Sequence, residues 1–288
     1  MGGDRRDALS DAEWDRLRPF LPVSNGRCGR WRDHRQVIDG ILHRVWTGVH
    51  WRDLPERFGP WKTVYERHRQ WSADGTWERL LQQAQAAADA AGEIDWDVSV
   101  DSTSVRAHQH AAGARTAPPP APASSKGAEF VEHQAESPWQ SLTARLVEVV
   151  GGGEGLGRSR GGITSKIHLS ADGRCRPLSL IITPGQRADC TQFVPVLEKI
   201  RVPRQGPGRP RKNPDSVAAD SQAARQRRGS RGGRPPGFDQ DRYKKRNTVE
   251  RAINRLKNYR AVATRYDKRG YVYLGTVTAA ALLIWIRS

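Results

Sequence analysis

The spacing of apolar residues changes once along this chain, near residue 94, and that change calls for two kinds of architecture in one protein. Before it, the period is helical. Ser10-Asp11-Ala12-Glu13 forms a capping box, which satisfies the unpaired N–H groups of a helix start, and Trp14, Leu17 and Leu21 follow at helical spacing. Val37, Ile38, Ile41, Leu42, Val45 and Trp46 make a second stripe, stopped by Gly48. A turn around Leu54-Pro55 and Phe58-Gly59-Pro60 leads to a third helix with Trp61, Val64, Tyr65, His68 and Trp71. A fourth starts near Asp74 and fades into QQAQAAADAA. Past residue 94 the period is two: Trp96, Val98 and Val100 alternate with Asp97 and Ser99, and the strand is expected to end at Asp101-Ser102-Thr103. The division is therefore a small all-α domain over 1–92 and an α/β domain over 93–288. Seven of the ten tryptophans lie in the first unit, most of them expected in its core. Its short helices and basic outer faces fit a helix-turn-helix-like DNA reader, and they fit a plain helical bundle nearly as well.

Within the second unit, β-rich runs at 163–169 and 177–183 flank Ala171-Asp172-Gly173-Arg174 and predict a hairpin. Asp189 is placed to cap a helix carrying Phe193, Val196, Leu197 and Ile200. SVAAD, 216–220, reads as a fourth strand running into Asp220. Two stretches interrupt the pattern. Residues 112–155, which include ARTAPPPAPASSKGAE, read as a surface insertion too rich in Ala, Pro and Ser to pack. Residues 201–236 are basic and rich in Gly and Pro. There GPGRPRK, beginning at Gly206, resembles a hook for a narrow minor groove, and a solvated linker has the same composition. The apolar run at 277–286 is too short to span a bilayer and suits a buried terminal helix or strand. The first residues lack the apolar core of a secretory signal, and Cys28, Cys175 and Cys190 show no CxxC spacing. A soluble, cytoplasmic protein with no membrane partner is expected.

Charge narrows the partner. Forty-eight Lys and Arg oppose 31 Asp and Glu, a formal net charge of +17. An excess that large attracts polyanions, because each neutralised phosphate releases counterions. No GxxxxGK[ST] loop is present, so nucleotide hydrolysis is not indicated.

The chemistry is carried by acids. In YKKRNTVERAINRLK, residues 243–257, Tyr243, Arg246, Glu250 and Lys257 fall within about 60° of one another on a helix, while Val249, Ala252, Ile253 and Leu256 form the adjoining face. One charged row is usually a solvated face. Its weight changes because Asp101 and Asp220 each end a short apolar strand. Two Mg²⁺ ions that polarise the attacking and leaving oxygens of a phosphodiester need oxygen ligands, and clustered carboxylates supply them. Strand, hairpin, helix, strand and helix with acids at these points is an RNase H-like arrangement: a mixed sheet flanked by helices. His108 and His110 follow Asp101 closely and could touch DNA or form a surface pair; Asp95, Asp97 and Asp172 have ordinary structural uses.

Tyr243, Arg246, Glu250 and Lys257 match a Y-x2-R-x3-E-x6-K motif at every spacing, and the chain resembles the DDE transposases of bacterial insertion sequences that carry it, the IS-five-like group. LSDAEWDRLRPFLP, VDSTSVRAHQHAAGAR, GLGRSRGGITSKIHL and ATRYDKRGYVYLGT share the likeness, which covers nearly everything except roughly 112–155. The resemblance implies cleavage at terminal inverted repeats and attack of the freed 3′-OH on target DNA, by a homodimer or larger assembly on double-stranded DNA. It also implies Asp101, Asp220 and Glu250 as catalytic ligands of Mg²⁺, with Mn²⁺ an alternative, and Tyr243, Arg246 and Lys257 as DNA contacts. One departure stands out. Residues 221–237 contain no Val, Ile or Leu, where the family has a further helix and strand, and the interval reads as an internal deletion. A catalytically inactive remnant that only binds DNA is therefore the alternative, and a general nuclease on the same fold a third.

Overall fold

The computed structural model describes residues 8–24, 31–114, 128–129, 153–218 and 240–288, with side chains from 247 onward in the last stretch. Helix α1 (Asp11–Leu17) starts at the expected capping box: Ser10 Oγ accepts from the Glu13 N–H, and Glu13 Oε2 accepts from the Ser10 N–H at 2.8 Å. A two-residue strand, β1 (Val23–Ser24), follows. Helix α2 (His34–Thr47) ends on Gly48 at φ 71°, a left-handed position that costs glycine least. Helices α3 (Trp61–Ala73) and α4 (Thr76–Ala90) are joined by Asp74 and Gly75, so they run back to back. The apparent fading of the fourth helix is not observed: its alanines stay helical to Ala90 because Ala86 and Ala88 are buried. Trp71 and Trp77 are core residues, whereas Trp14, Trp46 and Trp51 pack against it from the side and Trp61 is exposed.

The first long strand, β2 (Asp97–Ala107), continues well past the Asp101-Ser102-Thr103 end expected of it, and α5 (Gln109–Ala112) follows. Most of 112–155 lies outside the described residues. Within it, β3 (Ala128–Glu129) pairs with β1, and the fold resumes before 155: Glu154 is buried against Arg269, and the Gly155 carbonyl accepts from Ser165 and Arg265. Then come β4 (Gly157–Ser159), β5 (Gly162–Ala171), β6 (Pro177–Pro184), α6 (Phe193–Glu198) and β7 (Ser216–Ala218). The turn between β5 and β6 is longer than an Asp-Gly hairpin. Cys175, not Gly173, takes the positive φ of 65°, and buried Asp172 holds the turn by accepting from the Arg174 and Arg176 N–H groups and the Arg176 guanidinium.

The rest is helix α7 (Gln240–Lys257), α8 (Arg260–Ala263), β8 (Thr264–Arg265) and α9 (Gly270–Ile286). In the sheet, β5 lies between β2 and the β6/β4 edge, antiparallel to all three. The other edge of β2 takes β7 and β8, both parallel. The result is a mixed sheet in an α/β fold. Helix α7 packs on β2, β5 and β7, and α9 packs on β6, α3 and α4. Every α9 residue except Tyr271 is buried, which settles the terminal apolar run as a core helix. Gly275 is required at the α3 crossing, because a Cβ there would stand 2.6 Å from Ser72 Cβ. Among the described residues no helix is long and apolar enough to cross a membrane.

A buried polar chain ties the helical layer to the C-terminal segment. The Trp77 indole donates to His68 Nδ1 at 3.1 Å; His68 Nε2 therefore carries the proton and donates to Thr276 Oγ1 at 3.1 Å, which donates to Asp267 Oδ2 at 3.2 Å. Arg44 meets the other Asp267 oxygen at 3.1 Å. Burial drives the His68 pKa down to about 4, despite the opposing pull of Asp267, and burial likewise lowers His168 to about 4. Unfolded histidine binds its proton near 6.5, so stability is full above that pH and falls as pH drops toward 4. We expect the melting temperature to decline through pH 6.5–4 and the decline to shrink in His68→Gln. An unaltered pH profile in that variant would contradict the assignment.

Candidate catalytic centre

Asp101 sits midway along β2, half-buried, opposite Leu169 of β5; its Oδ1 accepts from the Ser102 N–H at 2.8 Å. Strand β7 runs beside the start of the same strand in parallel register, Asp97 to Ser216, Val98 to Val217 and Ser99 to Ala218. The Asp97 carboxylate bonds the Ser216 hydroxyl, and the Asp215 N–H donates to the Trp96 carbonyl at 3.0 Å, so the pair is locked at its entry. Asp220 lies outside the described residues.

Helix α7 presents its two faces as its sequence requires. Val249, Ala252, Ile253 and Leu256 are buried toward the sheet, while Glu250 is exposed and Lys257 is half-buried. Tyr243 and Arg246 fall in its first turns, with side chains outside those described. The structure thus brings the Glu250 helix across the strand that carries Asp101. Both are oxygen donors, the chemistry a hard divalent cation selects. Among the described residues, which include two of the three expected ligands, no group of three acids, histidines or cysteines stands close enough to hold a metal.

On the opposite face of β2 is a cluster that sequence reasoning missed. Ser102 Oγ donates to Asp189 Oδ1 at 2.7 Å, and Lys166 Nζ reaches the same oxygen at 2.9 Å. Asp189 is therefore not the helix cap expected of it: Ala188 occupies that position, and the Asp189 carboxylate reaches back to the sheet. Burial opposes its ionisation, but the bonds from Ser102 and Lys166, with the charge of Lys166, outweigh that and hold it below the usual carboxylate range. Strand alternation sends Ser102, Lys166 and His168 to this one face and Asp101 to the other, so Asp189 braces the strand rather than adding a fourth ligand. A signal existed: Lys166 and His168 stand two apart in a strand where Ile167 and Leu169, which alternate with them, are apolar.

The basic segment is described as far as residue 218. Val202 and Arg211 pair across 201–211, and Arg211 lies 4.0 Å over the Trp96 ring while bonding Asp215 at 2.6 Å. GPGRPRK is thus folded back into a closed loop edged by Arg201, Arg204, Arg209 and Lys212. Residues beyond 218 in this segment lie outside those described.

Two family models match the chain. "Putative transposase of IS4/5 family" covers residues 9–81 and "Transposase DDE domain" covers 94–228. Among curated relatives, an uncharacterized protein of Sinorhizobium fredii, y4sN, is 40% identical over 112 residues, 38% of this chain and 86% of its own. An uncharacterized 16.2 kDa protein of insertion element IS402 from Burkholderia cepacia is 37% identical over 107 residues, 34% of this chain and 73% of its own. A "Putative transposase for insertion sequence element IS6501" from Brucella ovis is 28% identical over 130 residues, 43% of this chain and 100% of its own. No solved structure matches. The chain belongs to the DDE-type transposases of insertion sequences, and its function is that of a transposase enzyme.

The exposure of Glu250 yields a contrast. Glu250→Gln should leave the unfolding free energy within about 0.5 kcal/mol of wild type, whereas Ile253→Ala, on the buried face three residues on, should cost roughly 2–5 kcal/mol. Denaturant titration measures both; a large loss in Glu250→Gln would mean the carboxylate is structural.

Proposed function

We propose that this transposase works by cut-and-paste: hydrolysis at the terminal inverted repeats of its element, then attack of the freed 3′-OH on target DNA. The observation that carries the proposal is the juxtaposition at β2, where Asp101 stands mid-strand, β7 runs parallel alongside and the Glu250 helix packs across. Asp220 follows Ala218 by two residues, the same interval that separates Ser99 from Asp101, so two more steps of the β2–β7 register would set the acids side by side. The β6–β5–β2–β7 order, antiparallel until its last member, supports an RNase H-like reading of residues 93–288, with the helical unit of 1–92 contributing DNA contacts.

Asp101, Asp220 and Glu250 would hold Mg²⁺, or Mn²⁺ in its place, and bound metal supplies Lewis-acid stabilisation of charge on the phosphodiester oxygens. The chain's own cations do the rest. Lys257, on the Glu250 row and half-buried, is held where it can grip a phosphate as a charge-assisted donor, with Arg246 and Tyr243 preceding it on the same row. Glu250 is exposed and so open to an incoming backbone. Double-stranded DNA is the substrate at both steps, which places the protein with the nucleoid in the cytoplasm, and cutting two ends together calls for a homodimer or larger assembly.

A second reading has its own support. The DDE-domain match stops at 228, ahead of Glu250, and 221–237 lacks Val, Ile and Leu, so an internally deleted remnant that binds repeat ends without cutting them is the competitor. The assay is nicking of the cognate inverted repeats with Mg²⁺ or Mn²⁺. We expect metal-dependent nicks that Asp101→Ala abolishes while gel-shift binding persists. Binding with no cleavage in either metal would establish the remnant, and undiminished nicking by Asp101→Ala would remove the acid from the mechanism.

A further inference from the structure

A cavity of about 740 Å³ opens between the helical layer and the segment after β8, well within the range of about 300–1,000 Å³ typical of small-ligand sites. Its walls are aromatic. His50 and Trp51 come from the connection between α2 and α3, Trp61 from the start of α3, His110 from α5, and Tyr266 from the chain after β8. The rings are ordered against one another: Tyr266 stacks on His108 at 4.5 Å and 28°, and His50 stands edge-on to Tyr266 at 5.5 Å and to His110 at 5.7 Å.

The floor is unusual in a second, independent way. Arg44 is 2% exposed and spends one nitrogen on Asp267, yet among the described residues its Nε and Nη1 have no hydrogen-bond partner, and neither does the buried indole nitrogen of Trp51, whose ring lies 5.0 Å from the guanidinium. Buried donors in folded proteins are nearly always paired, because an unpaired one forfeits its water without compensation. Three donor nitrogens left over at the base of a cavity call for acceptors brought by a ligand. Arg52, Lys268 and Arg269 line the cavity together with Asp53, and Arg269 is also bonded to Glu154. With the floor pair and Glu154 included, four cations meet three carboxylates, so the cavity keeps a net positive charge that favours an anion.

A ligand that offers a flat ring, several acceptors and a negative charge is a nucleotide. We propose that this cavity takes one unpaired nucleotide of a DNA strand, its base against the Tyr266, His50 and Trp61 rings and its phosphate on the Lys268 and Arg52 side, with acceptors reaching the Arg44 and Trp51 N–H groups. Base stacking on aromatic faces needs an unstacked base, since a duplex shows a protein only base edges and backbone. The cavity is not part of the catalytic centre: His108 is seven residues along extended chain from Asp101, about 23 Å away. The inference rests on the DNA-processing reading above and adds a subsite to it.

The test uses the full chain and four labelled or competing probes: a blunt duplex, the same duplex with one extra unpaired thymidine nucleotide, the corresponding single strand, and free thymidine monophosphate. Fluorescence anisotropy should show the duplex with the unpaired nucleotide bound about tenfold more tightly than the blunt one. Tyr266→Ala and the exposed-rim Lys268→Ala should erase that preference and leave blunt-duplex binding within about twofold. Two variants guard against one failing to fold. Equal binding of both duplexes by wild type, or a preference that survives both substitutions, overturns the cavity assignment while blunt-duplex binding keeps the DNA reading intact. Monophosphate that binds as tightly as the bulged duplex overturns the DNA source in favour of a free nucleotide. No binding to any DNA overturns both readings.

Discussion

Strand β2 has partners on both of its edges and carries Asp101 at its middle, and the proposed catalytic arrangement depends on it. Antiparallel β5 fixes one side over eight residue pairs from Ser99 to Arg106; parallel β7 and β8 take the two ends of the other. Among the described residues the pairing along that edge stops at Ser99 and resumes at Arg106, with Asp101 between, where an acid must be rigid yet reachable. Pairing on one side supplies the rigidity, since a strand held by a full ladder cannot shift register without turning every side chain to the wrong face. Ser102, Lys166 and Asp189 add a charged brace on the reverse face.

The helices exist to hold this sheet in place. Helix α9 is apolar all round, which only a helix enclosed by others can tolerate, and it lies against β6 on one side and α3 and α4 on the other. The Trp77–His68–Thr276–Asp267–Arg44 chain then fixes the helical layer against the C-terminal segment by hydrogen bonds in a place where packing alone would allow sliding. Removing one member of a buried charged pair leaves the other uncompensated, so such a chain specifies one docking geometry more than it stabilises.

Local patterns in the sequence revealed local structure well. The Ser10 capping box, the Gly48 stop and the apolar face of 249–256 are all decided within a turn or two of chain, and each is found as expected. What failed depended on distant partners. The end of β2 was hidden because Ser102, Thr103, Ser104 and Arg106 break the apolar alternation; they stay extended because β5 pairs with them. Asp189 looks like a cap from its neighbours, but its partner Ser102 is 87 residues away. Arg44 sits in an apolar stripe and would be read as exposed, until Asp267, 223 residues on, explains its burial. Of the expected site, Asp101 and Glu250 fall on elements that meet, while the place of Asp220 is a matter of register and not of local pattern.

The central claim is that three carboxylates, from two neighbouring strands and one helix, share metal. A crystal structure of the full chain soaked in Mn²⁺, with the ions located by their anomalous scattering, measures this directly. The account predicts Mn²⁺ within ordinary oxygen-ligand distance, about 2–2.6 Å, of Asp101, Asp220 and Glu250 together. Manganese held by Asp101 with Glu250 turned away and Asp220 elsewhere, or bound only at unrelated acids, would contradict it.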